Sequence, residues 1–390
     1  MYFLSNKSNC SGCQACFNIC PVNAIQMQED EQGFLYPLID DMLCTHCSQC
    51  ESVCPAIYFT AEKNAALSAY GCYSKDTSEL MSSSSGGVFA LLARKILSEG
   101  GAVCGAAFDE NQRVFHILID DESQLIRLKG TKYVQSEIGN CFTIIKTHLE
   151  NGQKVLFSGM ACQVEGLKNF LGREYDYLYC IDLICHGVPS PGIWKQYLKE
   201  IAGANTVKSV SFRNKTKGMD SISVDYTLSN GETITEPYKD SLYIKGFLQN
   251  IIVRPSCFDC IFKGDNRCSD LTIGDFWSMK EYHPDAYQDK GVSAVIIRTE
   301  KGKDLFKKVR PKMITVPSTV DKISLWNECL NQSVLPHPIR DDFFKIWRKN
   351  SVMELLKEYT EIQYIQSKHG RNSFSRQLRR IINRVIRKTD

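Results

Sequence analysis

Two cysteine runs, "CSGCQACFNICP" at Cys10–Pro21 and "CTHCSQCESVCP" at Cys44–Pro55, constrain this chain more than any other feature. Each reads C-x2-C-x2-C-x3-C-P. Three thiolates on so tight a loop can cap one face of an iron–sulfur cubane, while the fourth cysteine, at the start of the next turn, points away. In a two-cluster protein that fourth cysteine ligates the other cluster. The spacing therefore predicts one [4Fe-4S] cluster on Cys10, Cys13, Cys16 and Cys54 and a second on Cys44, Cys47, Cys50 and Cys20. Pro21 and Pro55 stop the chain from continuing as helix. The runs start 34 residues apart, and each proline is followed by an Ala-Ile pair, Ala24-Ile25 and Ala56-Ile57, which marks an internal repeat. Structural zinc is the bland alternative, but zinc takes four ligands per ion and is rarely held by C-x2-C-x2-C. His46 reads as a loop residue, since the four cysteine places are already filled.

The same spacing occurs in bacterial ferredoxins with two clusters, where neighbouring centres carry single electrons. The chain has 390 residues, enough for two or three domains and a sizeable core. With 43% hydrophobic and 23% charged residues it has the composition of a soluble globular protein, and no apolar stretch approaches a membrane span. The first residues, "MYFLSNKSNC", have no basic head or apolar centre, so a cytoplasmic location is expected. In a reducing compartment 18 cysteines argue for metal ligation over disulfides.

The expected fold is α+β, with a two-cluster ferredoxin-like domain over residues 1–62 and a larger α/β domain with a mainly parallel sheet over 63–345. A helical basic tail occupies 346–390. A small polar stretch, Thr60–Tyr70, reads as the linker. The segment "SSSSGGVFALLARKILSEGG" places a serine and glycine loop before a helix with Val88, Leu91, Leu92 and Ile96 on one face. "AVCGAAF" and "RVFHILI" read as paired strands, and a hairpin is expected at Asn230-Gly231. "KVLFSGMACQVEGLKNFL" and "YLYCIDLICHGVPSPGIWKQYLKEI" are each strand, loop and helix, the second with Pro191 suited to the first helical turn. Such units imply a parallel sheet, whose ligands bind beyond the carboxyl ends of the strands. Cys162 and Cys185 occupy equivalent strand ends, so they are expected to face one crevice. With Cys257, Cys260 and Cys268 of "CFDCIFKGDNRCSD" they offer five thiols, for a third cluster, for zinc, or as unligated core cysteines. Cys72, Cys104, Cys141, Cys180 and Cys329 lack ligand-spaced neighbours and are assigned to packing. No G-x-G-x-x-G follows an expected strand and no Walker loop is present, so a Rossmann-bound nicotinamide cofactor is not expected.

In order along the chain, "SSSSGGVFALL", "GTKYVQSEIG", "VLFSGMACQ", "CHGVPSP", "CFDCIFKG" and "SDLTIGDFW" follow the two-cluster module. Over roughly residues 1–345 this set resembles the beta-subunit family of coenzyme F-420 (deazaflavin) hydrogenases and dehydrogenases, which includes 7-hydroxymethyl chlorophyll a reductase. The resemblance implies an iron–sulfur flavoprotein oxidoreductase whose large domain binds FAD beside a third cluster. It places Ser84, Ser85, Gly86, Gly87, Lys132 and Tyr133 along the flavin. It places Cys185, Cys257 and Cys260 on the third cluster, with Cys162 the preferred fourth ligand and Cys268 the reserve. A glycine loop opening a helix suits a phosphate of FAD, because its backbone N–H groups point outward. His186 and Lys132 are the candidate proton donors or acceptors, His186 also reading as a structural residue. Similar single-chain proteins occur among polysaccharide-biosynthesis genes, and the substrate is a small molecule that the motifs do not identify.

Two other classes stand beside this reading: an electron-transfer subunit docking on a partner enzyme, and a binding protein with structural clusters. The expected partner is a redox protein, a ferredoxin or similar. From Gly370 the chain has seven basic residues and one acidic, with Phe374, Leu378, Ile381, Ile382, Val385 and Ile386 at helical spacing. A basic amphipathic helix of this kind can dock on a partner or lie on the anionic inner face of a membrane. Nucleic-acid binding is not expected, because the tail has no aromatic interleaving for base stacking.

Overall fold

The computed structural model describes residues 6–58 and 63–361. In the N-terminal unit, β1 (Ile25–Glu29) and β2 (Leu35–Ile39) form an antiparallel hairpin that pairs Ile25 with Ile39. Two short helices, Ala15–Ile19 and Gln49–Ser52, pack against each other. The 34-residue repeat extends to the backbone: Gly12 and Gln14 have φ of 73° and 60°, and their counterparts His46 and Ser48 have 53° and 58°. Left-handed residues in so short a loop help turn N–H groups toward one concavity, a shape that suits an anionic iron–sulfur centre.

The large domain is built on β3 (Ser68–Ser74), β4 (Ala102–Phe108), β5 (Val114–Ile119), β6 (Val155–Gly159) and β7 (Leu178–Leu183). An inserted three-stranded antiparallel sheet follows, made of β8 (Val207–Asn214), β9 (Ser223–Leu228) and β10 (Thr233–Pro237). Its β9–β10 hairpin turns at Asn230-Gly231, as expected. The chain then returns as β11 (Leu271–Asp275), β12 (Ser293–Ile297) and β13 (Met313–Ser318). The main sheet has eight strands in the order β13-β3-β12-β11-β7-β6-β4-β5.

Only the pairs β4–β6, β6–β7 and β7–β11 are parallel; β4–β5, β11–β12, β12–β3 and β3–β13 are antiparallel, so the expected mainly parallel sheet is corrected to a mixed one. A fully buried strand such as β12 has no alternation to reveal its direction, which is decided by the connection and not by the strand. The strand–loop–helix units are where they were expected, with helices Ala161–Leu171 and Pro191–Ala202 following β6 and β7, and Pro191 opening the second. Helix Val88–Ser98 buries Val88, Leu91, Leu92 and Ile96 against the sheet.

The two units share an aromatic core. Trp194 packs 4.9 Å from Phe212 and 4.8 Å from Tyr243, and Phe34 and Tyr36 of the N-terminal hairpin belong to the same buried cluster. Helix Arg340–Ile346, the turn that follows it and helix Val352–Thr360 enter it too, through Phe343, Trp347, Val352, Leu355, Leu356 and Tyr359. These positions fall partly within the span read as a tail; spaced i, i+3, i+4 and i+7, the last four give the second helix an apolar stripe that must be covered. Across the join, Gly192 N–H donates to Gly33 O at 3.0 Å and Trp347 Nε1 to Glu31 O at 2.9 Å. The basic helix expected over Phe374–Ile386 lies outside the described residues. Among the described residues no helix is long and apolar enough to cross a membrane.

Candidate functional site

Cys10, Cys13, Cys16 and Cys54 line one cavity, roofed by Met27 and Pro37 of the hairpin and closed by Pro55. Three come from the first run and one from the second, which is the crossing that the spacing demands. Burial raises the Cys13 thiol to about 12, and Cys54 and Cys10 push in the same direction. Cys54 rises to about 11 for the same first reason, with Cys10 adding to it. Thiols so crowded resist ionising by themselves, and bound iron reverses that balance by supplying positive charge. The other set is nearer solvent: Cys20, Cys44 and Cys50 are half-buried and Cys47 is exposed. Ala24 N–H donates to Cys20 Sγ at 3.2 Å, and His46 Nδ1 lies 3.9 Å from Cys44 Sγ.

A third set gathers at the carboxyl ends of β6 and β7. Cys162 is the second residue of the helix after β6, Cys185 follows β7, and Cys257 and Cys260 lie on and just after the turn Pro255–Asp259. Burial raises the Cys162 thiol well above its ordinary value, and Cys260, Cys185 and Cys257 add to it in that order. Cys185 is pushed to about 12 and Cys257 to about 11, again by burial first. Positive groups surround the set: Lys263 Nζ donates to Cys185 O at 2.6 Å and to Cys329 O at 2.7 Å, and buried Arg254 and Arg267 stand beside it. Their charge fits a thiolate-ligated centre.

Two sequence assignments change here. Cys268 is buried beside Glu165, Lys168 and Cys180, away from the set it was held in reserve for. Cys329, read as packing, lies next to Cys185. Nothing in the spacing of a lone cysteine could have signalled that. Cys72, Cys104, Cys141 and Cys180 are buried in the core, as read. Among the described residues no three His, Cys, Asp or Glu side chains close on one point as the ligands of a single ion do. Ligands of a four-iron cluster, each on its own iron, stand farther apart.

The inner and third sets adjoin. A Cβ on Gly166, in the helix that starts with Ala161, would meet Cys13 Cβ and Sγ at 2.9 Å, so only glycine lets that helix lie on the first cysteine loop. Cys162 accordingly also feels Cys13.

The segments that the resemblance assigned to a flavin meet near the end of β11, the strand that pairs parallel with β7. Gly86 N–H donates to Ser293 Oγ at 2.9 Å, and Ser293 stands opposite Asp275 at the end of β11. Gly87, with φ of 86°, caps the eleven-residue helix Val88–Ser98; Ser84 precedes it half-buried. Lys215 Nζ donates to Ser85 O at 2.8 Å. Arg213 Nη1 pairs with Asp275 Oδ2 at 2.7 Å. Tyr133 packs 5.5 Å from Phe212, and Lys132 Nζ sits 5.8 Å over the Phe108 ring at the end of β4.

Four buried polar atoms in this group have no protein partner: Ser85 Oγ, Arg213 Nε and Nη2, and Asp275 Oδ1. Arg213 is 8% exposed. Unsatisfied buried donors and acceptors cost about 1–3 kcal/mol each, and a planar, hydrogen-bonding ligand would relieve them. Arg213, Lys215 and Asp275 were missed in the sequence, although "GDFW" was part of the resemblance, because β8 and β11 meet only in the folded chain. His186 lies behind this group, with Nε2 2.7 Å from Asn250 Oδ1 and its ring 4.9 Å from Phe247.

Burial lowers Lys132 to about 7, while Nζ donates to the carbonyls of Lys129 and Gly130. A lysine depressed on folding binds fewer protons than the unfolded chain between about pH 7 and about pH 10, so stability rises with pH across that window. Lys132→Met is expected to flatten the rise by on the order of 1 kcal/mol per pH unit. Thermal midpoints measured from pH 7 to pH 10 would show it; curves parallel to the parent would refute the assignment.

Residues 152–322 match the family described as the C terminus of the beta subunit of coenzyme F420 hydrogenase/dehydrogenase, and residues 9–57 match "4Fe-4S dicluster domain". The chain is 23% identical over 311 residues to the coenzyme F420-dependent sulfite reductase of Methanocaldococcus jannaschii; the match takes in 76% of this chain and spans 45%, less than half, of that protein. It is 23% identical over 356 residues to an uncharacterized protein of the same organism, covering 81% of this chain and 91% of the other. A chain of the F420-reducing [NiFe] hydrogenase complex from Methanosarcina barkeri aligns over 69% of this chain and 88% of its own, with 18% identity and a TM-score of 0.48.

Proposed function

We propose that this chain, whose residues 9–57 are a 4Fe-4S dicluster domain and whose residues 152–322 belong to the coenzyme F420 hydrogenase/dehydrogenase beta-subunit family, is an iron–sulfur flavoprotein oxidoreductase. The carrying observation is the line of thiol sets, exposed Cys47 to buried Cys13 to Cys162, together with the unpartnered Ser85, Arg213 and Asp275 atoms near the end of β11, the strand that pairs with β7. Cys162, Cys185, Cys257 and Cys260 hold a third [4Fe-4S] cluster. Ser84, Ser85, Gly86, Gly87, Lys132, Tyr133, Arg213, Lys215 and Asp275 hold FAD. When bound, FAD supplies the exchange of a hydride with an organic substrate and of single electrons with the clusters.

The protein's own part is positional. Arg213 and Lys215 bring positive charge to the proposed flavin site, Tyr133 and Phe212 pack beside it, and Asp275 Oδ1 offers an acceptor. Lys132 is the group able to hold or give a proton near neutrality. His186, engaged with Asn250, orients the strand end that bears Cys185. A cytoplasmic redox protein, a ferredoxin or similar, exchanges electrons at the Cys44–Cys50 loop. Coenzyme F420 is the first substrate to try, because the sulfite reductase relative is F420-dependent.

The second reading is an electron-transfer subunit that works only on a partner enzyme, supported by the exposure of Cys47 together with Met42, which is 92% exposed. Anaerobic reconstitution with iron, sulfide and FAD, followed by reoxidation of the reduced protein, separates the two. Reoxidation by F420 or another small acceptor alone supports the enzyme, and reoxidation only through a protein supports the subunit. Failure to retain FAD under saturating conditions overturns the flavin assignment.

A further inference from the structure

We infer that Arg254 is an electrostatic bridge between the inner ferredoxin thiols and the third thiol set, raising the midpoint potential of the cluster on Cys10, Cys13, Cys16 and Cys54 above that of the outer cluster. The inference rests on the reading of both sets as cluster ligands. Its guanidinium is fully buried, 0% exposed. Nε donates to Cys10 O at 2.7 Å, Nη2 to Leu35 O at 3.1 Å and Nη1 to Gln135 Oε1 at 2.9 Å. Gln135 in turn donates to Ser11 O at 3.0 Å. The guanidinium lies 4.1 Å from the centre of the Tyr36 ring. Its main chain starts the other site: Arg254 O accepts from Cys257 N–H at 3.0 Å. One residue therefore grips the first cysteine loop with its side chain and the third set's loop with its backbone.

None of the three acceptors is a carboxylate. Carbonyl and amide oxygens solvate a buried cation without neutralising it, and an uncompensated buried ion costs several kcal/mol. Thiolate-ligated clusters on either side are the anionic charge that the site is built to meet. The fit also depends on Gly12, where a Cβ would lie 3.1 Å from Arg254 Nη1. A fixed cation stabilises the added electron, and does so most in a low-dielectric surround. The outer set, with Cys47 exposed, is screened by water, so the effect is selective. The step concerned is one electron passing from the outer to the inner cluster, with no bond made or broken.

The test uses the full reconstituted chain and redox titration followed by electron paramagnetic resonance, with the outer cluster identified by its loss in Cys47→Ser. In Arg254→Met the inner cluster is expected to become harder to reduce. The equilibrium constant for electron transfer from outer to inner cluster should fall at least tenfold, about 59 mV for a one-electron couple. The outer potential should not move. Arg254→Lys, which keeps the charge but not the fork, should recover more than half of the shift. An inner potential unchanged in Arg254→Met, or an equal shift of both clusters, overturns the proposal. If Arg254→Met does not assemble the inner cluster, the lysine variant decides: a full tenfold loss despite the retained charge also overturns it. Iron content of the parent separates the readings, since a parent with only two clusters sinks the third-cluster assignment and leaves the inner-to-outer comparison standing.

Discussion

Replacing Cys257 with serine is expected to remove a third of the iron and acid-labile sulfide, from roughly twelve to roughly eight irons per chain, while the two ferredoxin-type signals persist. Cys257 is held by its turn among Cys162, Cys185 and Cys260, and no thiol of the dicluster domain can take its place without unpacking the helix that lies on Cys13. Reduction of a bound flavin through the ferredoxin unit should fall by at least tenfold, because the path from Cys13 loses its middle station. Cys268→Ser is the control: beside Cys180 and Lys168, it should leave iron content unchanged. Cys162→Ser and Cys329→Ser then separate the candidates for the fourth ligand. Loss with the first and retention with the second is expected, since Cys162 responds to three members of the set. Full iron content in Cys257→Ser would rule out the third cluster.

Arg213→Met is expected to cost flavin affinity on the order of 100-fold, about 3 kcal/mol, because two guanidinium nitrogens without protein partners are removed from the proposed flavin site. It should also destabilise the fold. Asp275, its side chain 18% exposed, loses its ion pair with Arg213, and breaking a buried pair costs up to about 3–5 kcal/mol. The double variant Arg213→Met with Asp275→Asn distinguishes the two effects. It should regain most of the thermal midpoint, since no lone buried charge is left, and still bind flavin weakly. Equilibrium dialysis with FAD and a denaturation curve on each variant check both halves. A single variant that keeps parental affinity, or a double variant that regains it, would place the flavin elsewhere.

The features that could be read early share one property: they are local. The eight cysteines proposed as ligands were legible from spacing because a loop of a few residues can present its thiols in only a few ways, and left-handed backbone recurs at Gly12, Gln14, His46 and Ser48. The helix at Val88–Ser98, the Asn230-Gly231 turn and Pro191 at a helix start were legible for the same reason. Sheet direction was not, since β3, β12 and β13 are strands whose orientation depends on how the chain returns to the sheet.

For the third thiol set the division is finer. The amino-acid sequence determined that Cys162 and Cys185 close equivalent strand–loop–helix units and that Cys257 and Cys260 share a turn. The tertiary structure alone decided that Cys268 lies beside Cys180 and not this set, that Cys329 comes near Cys185, and that Arg213 reaches Asp275 from an inserted sheet. The physical reason is range. Short-range geometry is written in backbone preferences and turn chemistry, whereas residues far apart in the chain meet only when burial of a shared core, here the ring cluster around Trp194, outweighs the entropy of bringing them together.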